Sequence, residues 1–248
     1  MPRFFVLPGE IGEGEVLLTG ENAHHISRSL RMAAGEAVTV CDGAGRDYLC
    51  RLTEFRSDCV RAEILSQEPS ASEPPYLIRV YQGLPKGDKL DEVIQKTVEC
   101  GAGEIIPFES SRCVARVGDG KKEPERTARR NRIAHTAAGQ CGRGRLPAVR
   151  ATCPFSEAVR DAAGAGLALF CYEGEGTRPL GEVLAQARAA GVPADISVMV
   201  GSEGGFSPEE AERARSAGMT PVGLGKRILR TETAAVFVLA GLALTWEL

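Results

Sequence analysis

The rhythm of apolar and polar positions changes once along the chain. Up to about residue 70 the apolar residues fall in short runs: RFFVL, GEVLLTG, EAVTVCDGAG, RDYLCRLTEF and CVRAEILS. These runs are rich in β-branched and aromatic residues and are bounded by Gly and Asp, which predicts closely spaced strands in a small barrel or sandwich. One helical interruption is expected at ENAHHISRSLRM, where Ala23, Ile26 and Leu30 recur at helical spacing. Pro69, Pro74, Pro75 and neighbouring serines make 67–76 the strongest linker signal. From Tyr76 onward strands and helices alternate. LIRVYQG, EIIPFES, LALFCYE, DISVMVG and TPVGLG read as strands. DKLDEVIQKTVECG reads as a helix with Leu90, Val93, Ile94 and Val98 on one face and Gly101 as its stop. Further helices are expected over 123–139, FSEAVRDAAG, LGEVLAQARAAG, SPEEAERARSAG and TETAAVFVLAGLALTWEL. Continuously apolar strands alternating with helices predict a parallel sheet covered on both faces. The expected organisation is a small β domain over 1–72 and a larger α/β domain over 73–248.

Composition supports a globular chain: 43% of the 248 residues are hydrophobic and 25% are charged. The longest nearly apolar stretch, Ala234–Leu244, has 11 residues and is too short to span a bilayer. The opening MPRFFVLPGE lacks the layout of a secretory signal. None of the eight cysteines forms a C-x-x-C pair, and the three histidines are not spaced with them as ligands, so no metal is expected. Cysteines inside apolar runs such as LALFCYE read as reduced core thiols, in keeping with a cytoplasmic protein and no membrane partner. Charge is unevenly placed. Between Arg112 and Arg150 stand eleven Lys and Arg against Asp119, Glu123 and Glu125, a net +8 in a chain of net −3. Two readings are open: a contact with a polyanion such as RNA, or a solvated helix face whose partners lie elsewhere in the fold.

Candidate chemistry gathers at three strand ends, where open α/β sheets bind ligands. These are CYEGEGTRP, VMVGSEGGFSPEE (198–210) and GLGKRILRTET (223–233). In the second, Ser207, Pro208 and Glu210 form an N-cap, a first helical position and a capping box. That leaves Gly201–Phe206 as a free turn whose three glycines let backbone approach a ligand. Neither the P-loop pattern nor G-x-G-x-x-G is present, so an ATP, GTP or ordinary dinucleotide enzyme fits poorly. The third end pairs a glycine-rich backbone with Leu224, Ile228 and Leu229 and is followed by Thr231, a candidate cap. An apolar wall with free amides suits an adenine and a thioether better than a triphosphate.

VGSEGGFSPEE followed by LGKRILRTETAA resembles the cofactor signature of SPOUT-class RNA methyltransferases. HHISRSLRMAAGEAVTVCDGAG, GLPKGDKLDEVIQKTVECGAGEIIPFESSRCVAR and QCGRGRLPAV are similar to the RsmE-type family, and the likeness covers nearly the whole chain. The resemblance implies a PUA-like RNA-binding barrel at the N-terminus and a SPOUT α/β domain closed by a trefoil knot. It also implies a homodimer, S-adenosyl-L-methionine as cofactor, and N3 of a uridine in 16S rRNA of the small ribosomal subunit as target. The matching cofactor positions are Glu173, Val200, Gly201, Glu203, Gly204, Gly205, Leu224, Gly225, Ile228, Leu229 and Arg230.

Methyl transfer to uridine N3 requires loss of a proton and stabilisation of the resulting anion. Arg230, permanently cationic, is the candidate for that stabilisation, against a plain ion pair with Glu232. Glu203 is the second catalytic candidate, either as proton acceptor or as support for the cofactor loop. Arg28, Arg31, Lys86, Lys89, Arg112, Arg116, Arg143 and Arg145 are candidate RNA contacts. Two positions depart from the family pattern: Ser202 stands where Pro is usual, and Gly139 where Glu is usual. They keep open the alternative of an RNA-binding protein of the same fold with weak or no catalysis.

Overall fold

The computed structural model describes residues 1–116 and 120–248. The chain forms two compact units, Met1–Glu73 with Ala138–Leu146, and Pro74–Ala137 with Pro147–Leu248. In the first unit β1 (Arg3–Phe5), β2 (Glu15–Thr19), β3 (Ala37–Cys41), β4 (Arg46–Phe55) and β5 (Cys59–Pro69) form a sheet in the order β1-β3-β4-β5-β2. The alternating runs bury one face: Val16, Leu18, Val38, Val40, Cys50, Leu52, Val60 and Ala62 are inaccessible to solvent. Register shifts in the β4–β5 ladder, between Leu49 and Cys50 and between Leu52 and Glu54, bend the long hairpin over this core. The helical interruption is α1 (Gly20–His24) running into a wide π-helical turn, His25–Ser29, which buries Ile26. β5 runs further than expected, into the segment read as linker. Gln67, Glu68 and Pro69 still pair with Tyr48, Asp47 and Arg46, and a proline closing a strand forfeits only one donor.

The segment 138–146 joins this unit through Glu73. Its carboxylate accepts from the Gly144 amide (2.9 Å), the Arg145 amide (3.0 Å) and Arg143 Nη2 (2.7 Å). Arg143 is only 3% exposed. Both charges are therefore out of water and depend on each other.

The second unit is built on a wholly parallel sheet. Its strands are β6 (Leu77–Gly83), β7 (Ala102–Glu109), β8 (Ala148–Val149), β9 (Cys153–Pro154), β10 (Leu167–Cys171), β11 (Arg178–Pro179), β12 (Asp195–Val200) and β13 (Thr220–Gly223). Their order is β11-β13-β10-β12-β6-β7-β8, with β9 also on β7. The helices are α2 (Lys89–Glu99), α3 (Glu123–Cys141), α4 (Phe155–Ala162), α5 (Leu180–Ala190), α6 (Pro208–Ser216) and α7 (Thr231–Trp246). Parallel pairing aims the loops after β6, β10, β12 and β13 at one edge. The α6 capping box is formed: Glu210 N donates to Ser207 Oγ (3.2 Å) and Ser207 N to Glu210 Oε2 (2.9 Å). α7 packs on α2, α5 and β12. One stripe of it stays open, with Phe237 43% and Leu244 67% exposed.

Three segments cross at that edge. Gln82, fully buried at the end of β6, donates through Nε2 to Thr231 Oγ1 (2.7 Å) and to the Gly83 carbonyl (2.9 Å). Thr231 Oγ1 in turn donates to the Gly201 carbonyl (2.6 Å). Thr231 is thus the first helical residue and not the cap; the N-cap is Arg230, with no side-chain cap bond. The crossing is tight. A Cβ on Gly83 would lie 2.6 Å from Ser202 N and 3.0 Å from the Gly201 carbonyl carbon, both backbone atoms that cannot swing aside.

Two stability outcomes follow from these contacts. Gly83→Ala is expected to cost about 2 kcal/mol or more, the scale of overpacking a closed site. Glu73→Ala is expected to cost about 3 kcal/mol by stranding buried Arg143. Urea titration checks both; each should lower the midpoint with an unchanged slope, and a midpoint within error of the parent would refute the corresponding contact.

Candidate active site

The loops after β10, β12 and β13 wall a cavity of about 910 Å³, joined by Lys89 at the start of α2 and by Arg112 beyond β7. All eleven expected cofactor positions line it: Glu173, Val200, Gly201, Glu203, Gly204, Gly205, Leu224, Gly225, Ile228, Leu229 and Arg230. The volume falls within the range of small-molecule sites. Each wall has its own anchor. The 201–206 loop is pinned by Phe206, whose ring packs 4.4 Å from that of Phe170 and stacks on Phe108. Glu210 extends the helix cap outward, because its Oε1 accepts the Ser111 amide (2.7 Å) and draws the loop after β7 against the cavity. There Gly204 meets Arg112 main chain to main chain; a Cβ on Gly204 would sit 2.8 Å from the Arg112 carbonyl oxygen. The loop after β10 is latched by Arg215. Its guanidinium lies 5.6 Å from the Tyr172 ring centre and donates to the Glu175 carbonyl.

Electrostatics separate the two expected catalytic residues. Glu203 accepts from Lys89 Nζ (2.9 Å) and from the Lys86 amide (3.2 Å). Burial pushes its carboxyl up, but the Lys89 ammonium and the backbone amides outweigh this and hold it below the ordinary carboxylate range. Glu203 is thus ionised and committed to the Lys86–Lys89 turn. Glu203 chiefly raises the Lys89 pKa above its usual value, so Lys89 stays an ammonium. Glu232 turns to Lys89 as well, at 3.8 Å. The Arg230 side chain is exposed at the cavity and its guanidinium has no hydrogen bond or ion pair among the described residues, so the alternative Arg230–Glu232 pair is not formed.

The expected RNA contacts scatter. In the second unit Lys89 and Arg112 line the cavity, and the Lys86 amide donates to Glu203 on its wall; Arg28, Arg31 and Arg145 are exposed on the first. Arg31 is the one described non-glycine residue at positive φ, +53°. Arg116 donates to the Ser110 (3.1 Å) and Ser111 (3.3 Å) carbonyls. Arg143 is committed to Glu73. The basic stretch is partly neutralised in space: Arg129 pairs with Asp91, Arg130 with Glu123, and Arg150 with Glu104 and Asp161. Asp119, one of its acids, lies outside the described residues. At Gly139 a Cβ would only touch the Phe5 ring at 4.0 Å, so a larger side chain has room there.

Several residues were not named individually as cavity residues from sequence: Tyr172, Thr177, Thr231 and Lys89. Lys89 did carry a signal, since it follows the carboxyl end of β6, the kind of strand end that marked the other loops. Among the described residues no cluster of His, Cys, Asp and Glu has the makings of a metal site, and no helix is long and apolar enough to cross a membrane.

The RNA methyltransferase domain family matches residues 72–243, and the RNA methyltransferase PUA domain family matches 18–58. The ribosomal RNA small subunit methyltransferase E of Bacillus subtilis is 33% identical over 254 residues, covering 100% of this chain and 98% of that protein. Its counterpart in Synechocystis is 34% identical over 239 residues, covering 96% and 76%. Among solved structures, the ribosomal RNA small subunit methyltransferase E of Neisseria gonorrhoeae, bound to S-adenosyl methionine, superposes with a TM-score of 0.82 at 32% identity over 99% of this chain and 98% of that one. By domain match, full-length identity and fold together, the chain belongs to the ribosomal RNA small subunit methyltransferase E family.

Proposed function

We propose that the chain is an S-adenosyl-L-methionine-dependent methyltransferase acting on N3 of a uridine in 16S rRNA of the small ribosomal subunit. The observation that carries this reading is the single cavity in which all eleven cofactor positions meet, the unpaired Arg230 among them. The residues suit the cofactor: glycine backbone at 201, 204 and 205, and apolar Leu224 and Leu229. When bound, the cofactor supplies a methyl group on a sulfonium. The protein's part is to hold the uracil in line and to stabilise the anion left at N3. Arg230 does the second: no carboxylate competes for it, and its donors match the oxygens onto which the N3 charge spreads. Glu203, held ionised by Lys89, stiffens the cofactor loop; Lys89 adds positive charge at the cavity wall.

The same reading assigns 1–72 to an RNA-binding PUA-like barrel and 73–248 to a SPOUT catalytic domain. Arg28, Arg31, Lys86, Arg112, Arg116 and Arg145 supply phosphate contacts that position RNA without reading its sequence. Residues 224–231 are the segment that closes a trefoil knot, which the lock of Thr231 onto Gln82 and Gly201 supports. A homodimer buries the open α7 stripe of Phe237 and Leu244. A ribosomal substrate places the protein in the cytoplasm.

Calorimetry should detect S-adenosylmethionine binding, and incubation with unmodified small subunits should create one reverse-transcription stop at a uridine, because N3 methylation blocks base pairing. Absence of binding at millimolar cofactor would leave only the RNA-binding alternative. Arg230→Ala is expected to change cofactor affinity little and to lower kcat about 100-fold or more, the scale for removing one charge-stabilising donor. Unchanged turnover would remove Arg230 from the mechanism.

A further inference from the structure

Eight buried side-chain polar atoms of the described residues have no hydrogen-bond partner, and of the residues that carry them only Ser202 lines the cavity. Ser202 is 6% exposed, yet its Oγ neither donates nor accepts. An unsatisfied buried hydroxyl is costly, and alanine or proline would avoid the cost in the same turn. The backbone around it is held on both sides. The Ser202 carbonyl accepts the Gly205 amide (2.9 Å), and Gly83 packs against Ser202 N too closely to admit a Cβ. The hydroxyl therefore moves only by rotation about χ1, between staggered wells. Its neighbour Glu203 is already committed to Lys89 and the Lys86 amide.

We propose that Ser202 is a further cofactor-binding residue, whose buried hydroxyl turns about χ1 to hydrogen-bond a polar atom of bound S-adenosylmethionine and is satisfied only in the complex. This rests on the cavity being the methyl-donor site. A proline at this position makes no such bond. Ser202 contributes to holding the cofactor, and the free protein carries the unsatisfied hydroxyl in readiness for it.

The test compares the full-length protein with Ser202→Ala, measuring cofactor affinity by calorimetry and melting temperature with and without cofactor. The variant is expected to bind S-adenosylmethionine and S-adenosylhomocysteine about three- to tenfold more weakly, the worth of one neutral hydrogen bond. Its melting temperature without cofactor should be unchanged or higher, since alanine removes the orphaned group. 5′-Methylthioadenosine, which lacks the amino-acid portion, locates the contact: weaker binding by the variant places it on the nucleoside, and equal binding places it on the amino acid. Equal affinity of parent and variant for S-adenosylmethionine would overturn the inference while leaving the methyltransferase reading intact. A lower melting temperature without cofactor and an unchanged cofactor-induced rise would also overturn it, by making Ser202 purely structural. Failure of the parent itself to bind S-adenosylmethionine would instead overturn the reading on which the inference rests.

Discussion

The hydrogen bonds from Gln82 to Thr231 and from Thr231 to Gly201 join three stretches of chain that are far apart in sequence. The walls that follow β12 and β13 depend on them. The 201–206 loop leaves β12 at Gly201, the 224–230 loop ends at Thr231, and Lys89 follows β6 a few residues beyond Gln82. The network is buried, so a missing partner leaves a polar group stranded. The absent Cβ of Gly83 completes it, because only bare backbone lets β6 pass so near the 201–202 peptide. A cavity assembled from loops of separate strands can hold its shape only if their bases are fixed in this way.

The long periodic elements were legible in the sequence because burial enforces a period. The buried residues of α2 include the four expected from spacing, and Ser207, Pro208 and Glu210 start α6 as their chemistry requires. The pairs at β8, β9 and β11 were not, since two residues carry no period. Thr231 was read as a cap because a threonine before a helical run satisfies free amides; in the fold its hydroxyl is taken by two distant partners. Glu73 and Arg143, 70 positions apart, show the same limit: nothing local announces that a glutamate beside two prolines will gather 143–145 into the first unit. At the site, local glycine and capping chemistry marked the loops, but only three-dimensional placement brought Lys89 to them.

Charge behaves likewise. A net +8 over one stretch looks like a patch, yet Arg129, Arg143 and Arg150 meet carboxylates that lie outside that stretch, and Arg130 meets Glu123 within it. Linear counting cannot separate cations that bind a partner from cations that hold the fold. The set proposed for RNA is sparser, Arg28, Arg31 and Arg145 on one unit and Lys86, Arg112 and Arg116 on the other. Exposed groups of this kind attract phosphate through a salt-screened field and position RNA rather than read it.

The division between Glu203 and Arg230 follows from which of them has a partner. A carboxylate stabilised by an ammonium and by amide donors is a weak proton acceptor, because protonation must first break those contacts. Lys89 thereby commits Glu203 to an ion pair, and by drawing Glu232 as well it leaves Arg230 without a counter-charge. Arg230 is exposed, so water carries its charge and the missing counter-ion costs the free protein little. In the proposed mechanism the guanidinium is available to negative charge that develops on the substrate, since no existing ion pair has to be broken first.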